Sequence, residues 1–104
     1  MIRFSLLGRL DLRTSAGIEV ASILVQPKRV AILTWLALHH PGGLQRRESM
    51  LAIFWPDADE KRARNSLRNA LSNLRNSLGA DALITRGDEE VGLNPDVVWC
   101  DAVA

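Results

Sequence analysis

The chain has 104 residues, 47% apolar and 24% charged, with a formal net charge of +1 and one cysteine. That length implies one domain with a modest core. The lone Cys100 excludes a disulfide framework and a multi-cysteine zinc site. No apolar run approaches the ~18 residues of a membrane span. Charge also returns at Arg3, too early for a secretory signal, so the expected place is the cytoplasm. Residues 26–79 hold nine Lys/Arg against four acids, whereas residues 80–104 hold one Arg against six acids. A segregated basic middle suits a polyanion-binding surface, and it also suits an unevenly charged solvated helix face.

In chain order, Phe4-Ser5-Leu6, Leu10-Asp11-Leu12 and Ile18-Glu19-Val20 alternate apolar and polar, the period of strands. Gly8 and Thr14-Ser15-Ala16-Gly17 punctuate them, so a small antiparallel meander is expected. Pro27 suits the first position of a helix, where its missing N–H has no partner to lose. That helix is apolar from Val30 through Leu38 except for Thr34, which makes it the central one, and Pro41-Gly42-Gly43 ends it. A shorter helix is expected over Arg46 to Trp55, with Met50, Leu51, Phe54 and Trp55 inward and Pro56 as the stop. Asp57 and Glu60 have the spacing of a capping box, predicting a third helix over 57–78 with Gly79 as its left-handed cap. Leu83–Arg86 and Glu90–Leu93 around Gly87-Asp88-Glu89 read as a β-hairpin, closed by Asn94-Pro95.

On a wheel of about 100° per residue, Ala63, Leu67, Ala70, Leu71, Leu74 and Leu78 form one stripe of the third helix. Beside it follow Arg64, Arg75, Arg68, Lys61, Ser72, Asn65, Asn76 and Asn69, with no acid among them. Arginine can fork onto guanine and asparagine onto adenine in the major groove of duplex DNA. Cations at the margin of such a face meet phosphates and set register. A merely solvated face would more economically use Glu, Lys or Gln, because Asn is a poor helix former. Yet this helix carries Asn65, Asn69, Asn73 and Asn76.

Other groupings carry less. His39 and His40 stand together at a helix end without further ligands, which fits a helix C-terminal interaction better than a metal site. Gly42-Gly43 lacks a following Lys-Ser/Thr and is a turn, not a phosphate loop. Trp35, Trp55 and Trp99 suit core or interface positions better than a base-stacking platform. No Ser, His and Asp grouping has a nucleophile context, so no enzyme and no cofactor is expected.

The order of strands, three helices and hairpin resembles the OmpR/PhoB-type winged helix in the version found in SARP-type bacterial transcriptional activators. The resemblance is carried by Phe4-Ser5-Leu6-Leu7-Gly8, Pro27-Lys28-Arg29, Phe54-Trp55-Pro56, Ala63-Arg64-Asn65-Ser66-Leu67 and the run from Ser72 to Gly79. It spans about residues 2–96. It implies that the helix over 57–78 lies in the major groove and that the hairpin is a wing over the neighbouring minor groove or its phosphates. It further implies base reading by Asn65, Arg68, Asn69 and Ser72. Phosphate contacts would come from Lys61, Arg64, Arg75 and Asn76, and from Arg86 near the wing tip. The loop over 56–59 lies where relatives can contact RNA polymerase. Two departures stand out. Arg46 replaces the usual Ser or Thr cap of the second helix, which loses a cap but lets Arg46 and Arg47 approach phosphate. The wing is Gly87-Asp88-Glu89-Glu90, whose acids phosphates would repel from a deep minor-groove contact.

The expected fold is therefore α+β, a winged helix-turn-helix with an N-terminal antiparallel sheet, three helices and a C-terminal hairpin over 1–96. Residues 97–104 are expected to begin a linker to a following domain. The expected function is sequence-specific binding of double-stranded DNA in transcription regulation, by a monomer that pairs on repeated half-sites. The rival expectation is a protein-interaction module that kept this fold without specific DNA binding.

Overall fold

The computed structural model describes residues 1–8, 10–38, 43–87 and 89–102. The expected positions His39, His40, Pro41, Gly42 and Asp88 lie outside the described residues. Strands β1 (Ile2–Ser5) and β2 (Asp11–Arg13) precede helices α1 (Ala21–Leu24) and α2 (Pro27–Leu38). Strand β3 (Gln45–Arg46) leads into α3 (Arg47–Phe54) and the long α4 (Glu60–Leu78). A 3-10 turn over Ala80–Ala82 then leads to β4 (Leu83–Arg86), β5 (Glu90–Leu93) and β6 (Val98–Cys100). The class is α+β, with four α-helices and two three-stranded sheets among the described residues.

The second sheet is ordered β3-β5-β4, all antiparallel, so the expected hairpin is present and gains β3 as a third strand. The first sheet, β2-β1-β6, differs from the expected meander. Ile18-Glu19-Val20 forms only a single bridge, Arg13 to Glu19, before the chain turns into α1. Only Val20 of the three is buried, so there is no second inward side chain to hold a strand on the sheet. The third strand is β6 instead, parallel to β1 and paired Ile2–Val98, Arg3–Trp99 and Phe4–Cys100. The fold therefore continues past residue 96, where a linker was expected. Asp101 secures this edge, its carboxylate accepting from the backbone N–H of Leu6 at 2.8 Å and of Leu7 at 3.2 Å.

Helix α4 starts later than the capping-box spacing indicates. Asp57 sits inside a turn closed by Ala58 N–H donating to Trp55 C=O, with Pro56 at the position that favours its fixed φ. The cap is Asp59, whose Oδ1 accepts from the Arg62 N–H at 2.9 Å. At the other end Gly79 has φ +105° and ψ 153°, which is positive-φ backbone but extended rather than the expected left-handed cap. It turns the chain directly into the 3-10 segment. As expected, Arg46 stands at the N-cap position of α3 and gives it no side-chain cap.

One apolar cluster joins these elements. Phe4 and Leu12 enter it from the first sheet and Val91 from the second. Ile32, Leu33 and Leu36 come from α2, Met50 from α3, and Leu67, Leu71 and Leu74 from α4, each essentially without exposure. The stripe expected on α4 is the buried one: Ala63, Leu67, Ala70, Leu71, Leu74 and Leu78. No described helix is long and apolar enough to cross a membrane.

Two substitutions test this packing by thermal melting. Leu74→Ala should cost about 2–5 kcal/mol and lower the Tm by roughly 10 °C or more. A melt at the parental temperature would mean that α4 is turned differently. Gly92→Ala should also destabilise, by about 1–3 kcal/mol, because a Cβ there would collide with the Gly43 carbonyl and press on Leu44. An unchanged melt would mean that Gly43 and Leu44, just before β3, do not approach Gly92 this closely.

Candidate functional site

Burial of the apolar stripe leaves one long face of α4 outside. Lys61, Arg62, Arg64, Asn65, Arg68, Asn69, Ser72 and Asn76 are exposed, while Ser66, Asn73, Arg75 and Ser77 are half-buried along its margins. The four residues expected to read bases therefore share the open face. Of those expected at phosphate, Lys61, Arg64 and Asn76 lie on it. Arg75 is half-buried in the last turn, where a cation also favours the helix C-terminus.

The open face has two margins, each built by a neighbouring helix. On the first, Arg47 and Leu51 of α3 meet Arg64, Leu67 and Arg68 of α4 around a cleft of about 400 Å³. Beside it a smaller cleft gathers Arg46, Arg47, Glu48, Arg64 and Glu89. The hairpin is tied in here, because the Arg47 N–H donates to the Glu89 C=O at 2.8 Å. This places Arg46, Arg47, Arg64 and Arg68 along one side of the face.

Acids accompany the cations on this margin. The Arg64 Nε and Nη2 both donate to Glu60 Oε1, at 3.1 and 2.8 Å. That hydrogen bond and the Glu60 charge raise the Arg64 guanidinium pKa above its usual value, so the residue stays cationic. Arg46 lies 3.9 Å from Glu48, and Arg86 lies 3.6 Å from Glu90. All three arginines are largely exposed, so these pairs contribute little to stability and are open to exchange. By contrast the side chains of Lys61, Arg62, Arg68 and Arg75 make no ion pair or hydrogen bond among the described residues.

The second margin escaped sequence reasoning. Lys28 and Arg29 of α2 stand with Gln26 and Trp55 across from Ser66, Asn69 and Asn73, around a groove of about 270 Å³. Lys28 donates to the Phe54 carbonyl at 2.8 Å and lies 4.9 Å from the Trp55 ring centroid. It thereby closes the C-terminal end of α3 and ties it to α2. The sequence counted Lys28 and Arg29 in its basic middle, but nothing in their spacing says that α2 starts beside α4. Arg62 lies on the wheel toward the same side and also went unassigned.

All three tryptophans are half-buried. Trp35 and Phe54 meet edge to face at 6.1 Å, and Arg3 stacks over Trp99 at 5.3 Å. Among the described residues no three His, Cys, Asp or Glu side chains gather as a metal site. Set against protein-family models, curated proteins and solved structures, the chain matched none of them.

Lys28→Met keeps the stem but removes both the charge on the Phe54 carbonyl and the contact with Trp55. A loss of about 1 kcal/mol, or roughly 4–8 °C in Tm, is expected. A neutral result in a thermal melt would show that Lys28 does not hold the end of α3.

Proposed function

We propose that this chain is a winged helix-turn-helix domain that binds double-stranded DNA sequence-specifically and acts in transcription regulation. The observation that carries this reading is the open face of α4. There Arg68 and Lys61, free of acid partners among the described residues, lie beside Asn65, Asn69, Ser72 and Asn76. Side chains of this chemistry read guanine and adenine edges in the major groove. In this reading α3 and α4 are the two helices of the motif, joined by the five residues 55–59, and the β4–β5 hairpin is the wing.

The roles follow from position. Asn65, Arg68, Asn69 and Ser72 face the bases. Lys61, Arg64, Arg46 and Arg47 meet the flanking phosphates, with Arg75 and Asn76 farther along the helix. Arg86 contributes least, because Glu90 already attends it and Glu89 stands at the hairpin tip. The loop over 56–59 borders a separate groove of about 380 Å³, lined by Leu51, Trp55, Pro56 and Ala58 with Glu48 and Glu60. A polymerase contact, which the resemblance implies for the 56–59 loop, belongs to that surface.

Fluorescence anisotropy with duplex oligonucleotides tests the reading. On random sequence the affinity should fall in the range ~10⁻⁴–10⁻⁶ M at physiological salt and weaken steeply as salt rises, because bound counterions are released. On a site obtained by pooled-oligonucleotide selection, Arg68→Ala should cost about 1–3 kcal/mol and flatten discrimination at one or two positions. Arg64→Ala should weaken all sequences alike, and Arg86→Ala should matter less than Arg64→Ala. Affinity indifferent to salt would instead point to a protein partner for this face. Specificity lost in Arg86→Ala but kept in Arg68→Ala would make the hairpin the reader.

A further inference from the structure

The groove between the first turn of α2 and the far margin of α4 differs in charge from the margin at Arg64. Its polar lining is Gln26, Lys28, Arg29, Ser66, Asn69 and Asn73, with no acid among them. On the opposite margin Arg46, Arg47 and Arg64 share their cleft with Glu48 and Glu89, and Arg64 is bonded to Glu60. An approaching polyanion thus meets less repulsion at Lys28 and Arg29 than at the arginines expected to anchor it.

Both cations also keep donors to spare. Arg29 uses Nη1 on the Ser22 carbonyl at 3.1 Å, out of five N–H donors. Lys28 spends one of its three on the Phe54 carbonyl. Across the groove the Asn69 and Asn73 amides and the Ser66 hydroxyl can each donate to an oxygen. Neither asparagine makes a side-chain hydrogen bond among the described residues.

We propose that this groove is a second phosphate seat, so that the domain straddles the major groove with cations against both strands. One strand lies at Arg47 and Arg64, and the other at Lys28 and Arg29. The dimensions agree. A helix with its side chains is about 10–12 Å across and the major groove about 12 Å wide, so a helix that enters it brings both of its margins to a sugar-phosphate wall. Asn69 then stands at the boundary between bases and backbone. This inference rests on the DNA-binding reading of α4, and it adds a contact that the helix alone does not supply.

The test uses the 104-residue chain and a labelled random-sequence duplex titrated with potassium chloride. Arg29→Ala should weaken binding several-fold on every sequence and lower the salt slope by about one. Arg29→Lys should keep the slope. Asn73→Asp, which puts an acid into the groove while leaving the Arg29–Ser22 contact alone, should weaken binding at low salt. Circular dichroism melts establish that each variant is folded at the assay temperature. Should Arg29→Ala fail to fold, Asn73→Asp decides alone. Parental affinity and slope in Arg29→Ala and Asn73→Asp, alongside a lowered slope in Arg64→Ala, would overturn the second seat and leave the DNA reading standing. A parent chain whose binding ignores salt would overturn both.

Discussion

The arrangement depends on how the apolar stripe of α4 is buried. A fully buried leucine contributes about 1.5–3 kcal/mol, and Leu67, Leu71, Leu74 and Leu78 lie in line on one side of the helix. Turning α4 by even a quarter would carry Arg64 and Arg75 toward the core and expose these leucines. Neither change is tolerable in a domain whose whole stability is about 5–15 kcal/mol. The outward face is thus set by what must go inward. That places Asn65, Asn69, Ser72 and Asn76 outside together, although none of them contributes to the packing.

Around that helix the polar contacts set where the neighbouring elements present their charges. Asp59 caps α4, and Glu60 at its first turn steadies Arg64. Lys28 joins the start of α2 to the end of α3, while the Arg47 N–H joins the start of α3 to the hairpin. Individually these are modest bonds of about 1 kcal/mol. Together they hold cations from β3, α2 and α3 along both sides of one helix face. Acids stand among the cations on one side only. For the proposed DNA contact, this asymmetry means that one margin must exchange its carboxylates for phosphates while the other need not.

The first sheet lies at the other end of the logic. Pairing of β6 with β1, secured by Asp101, brings the two ends of the chain into one sheet. Phe4 and Leu12 of that sheet share the apolar cluster with the stripe of α4. The contact therefore supports the helix without touching its open face.

Much of this was legible in the sequence, because it depends on local periodicity. The 3.6-residue repeat of α4 located its buried stripe and its open face, Pro27 located the start of α2, and the hairpin bounds at 83–86 and 90–93 held. What escaped depends on partners distant in the chain. Val98-Trp99-Cys100 is apolar throughout and shows no alternation, so only its parallel pairing with β1 identifies it as a strand. Ile18-Glu19-Val20 does alternate, but it makes only the Arg13–Glu19 bridge to β2 and brings a single buried side chain before the chain turns into α1. Asp57 has the capping spacing, yet the turn around Pro56 passes the role to Asp59. Lys28 and Arg29 read as an ordinary helix start, and only packing sets them across from Asn69 and Asn73. Periodicity along one segment thus determined which face of each helix is buried. Contacts between segments far apart in sequence decided which charges that face meets.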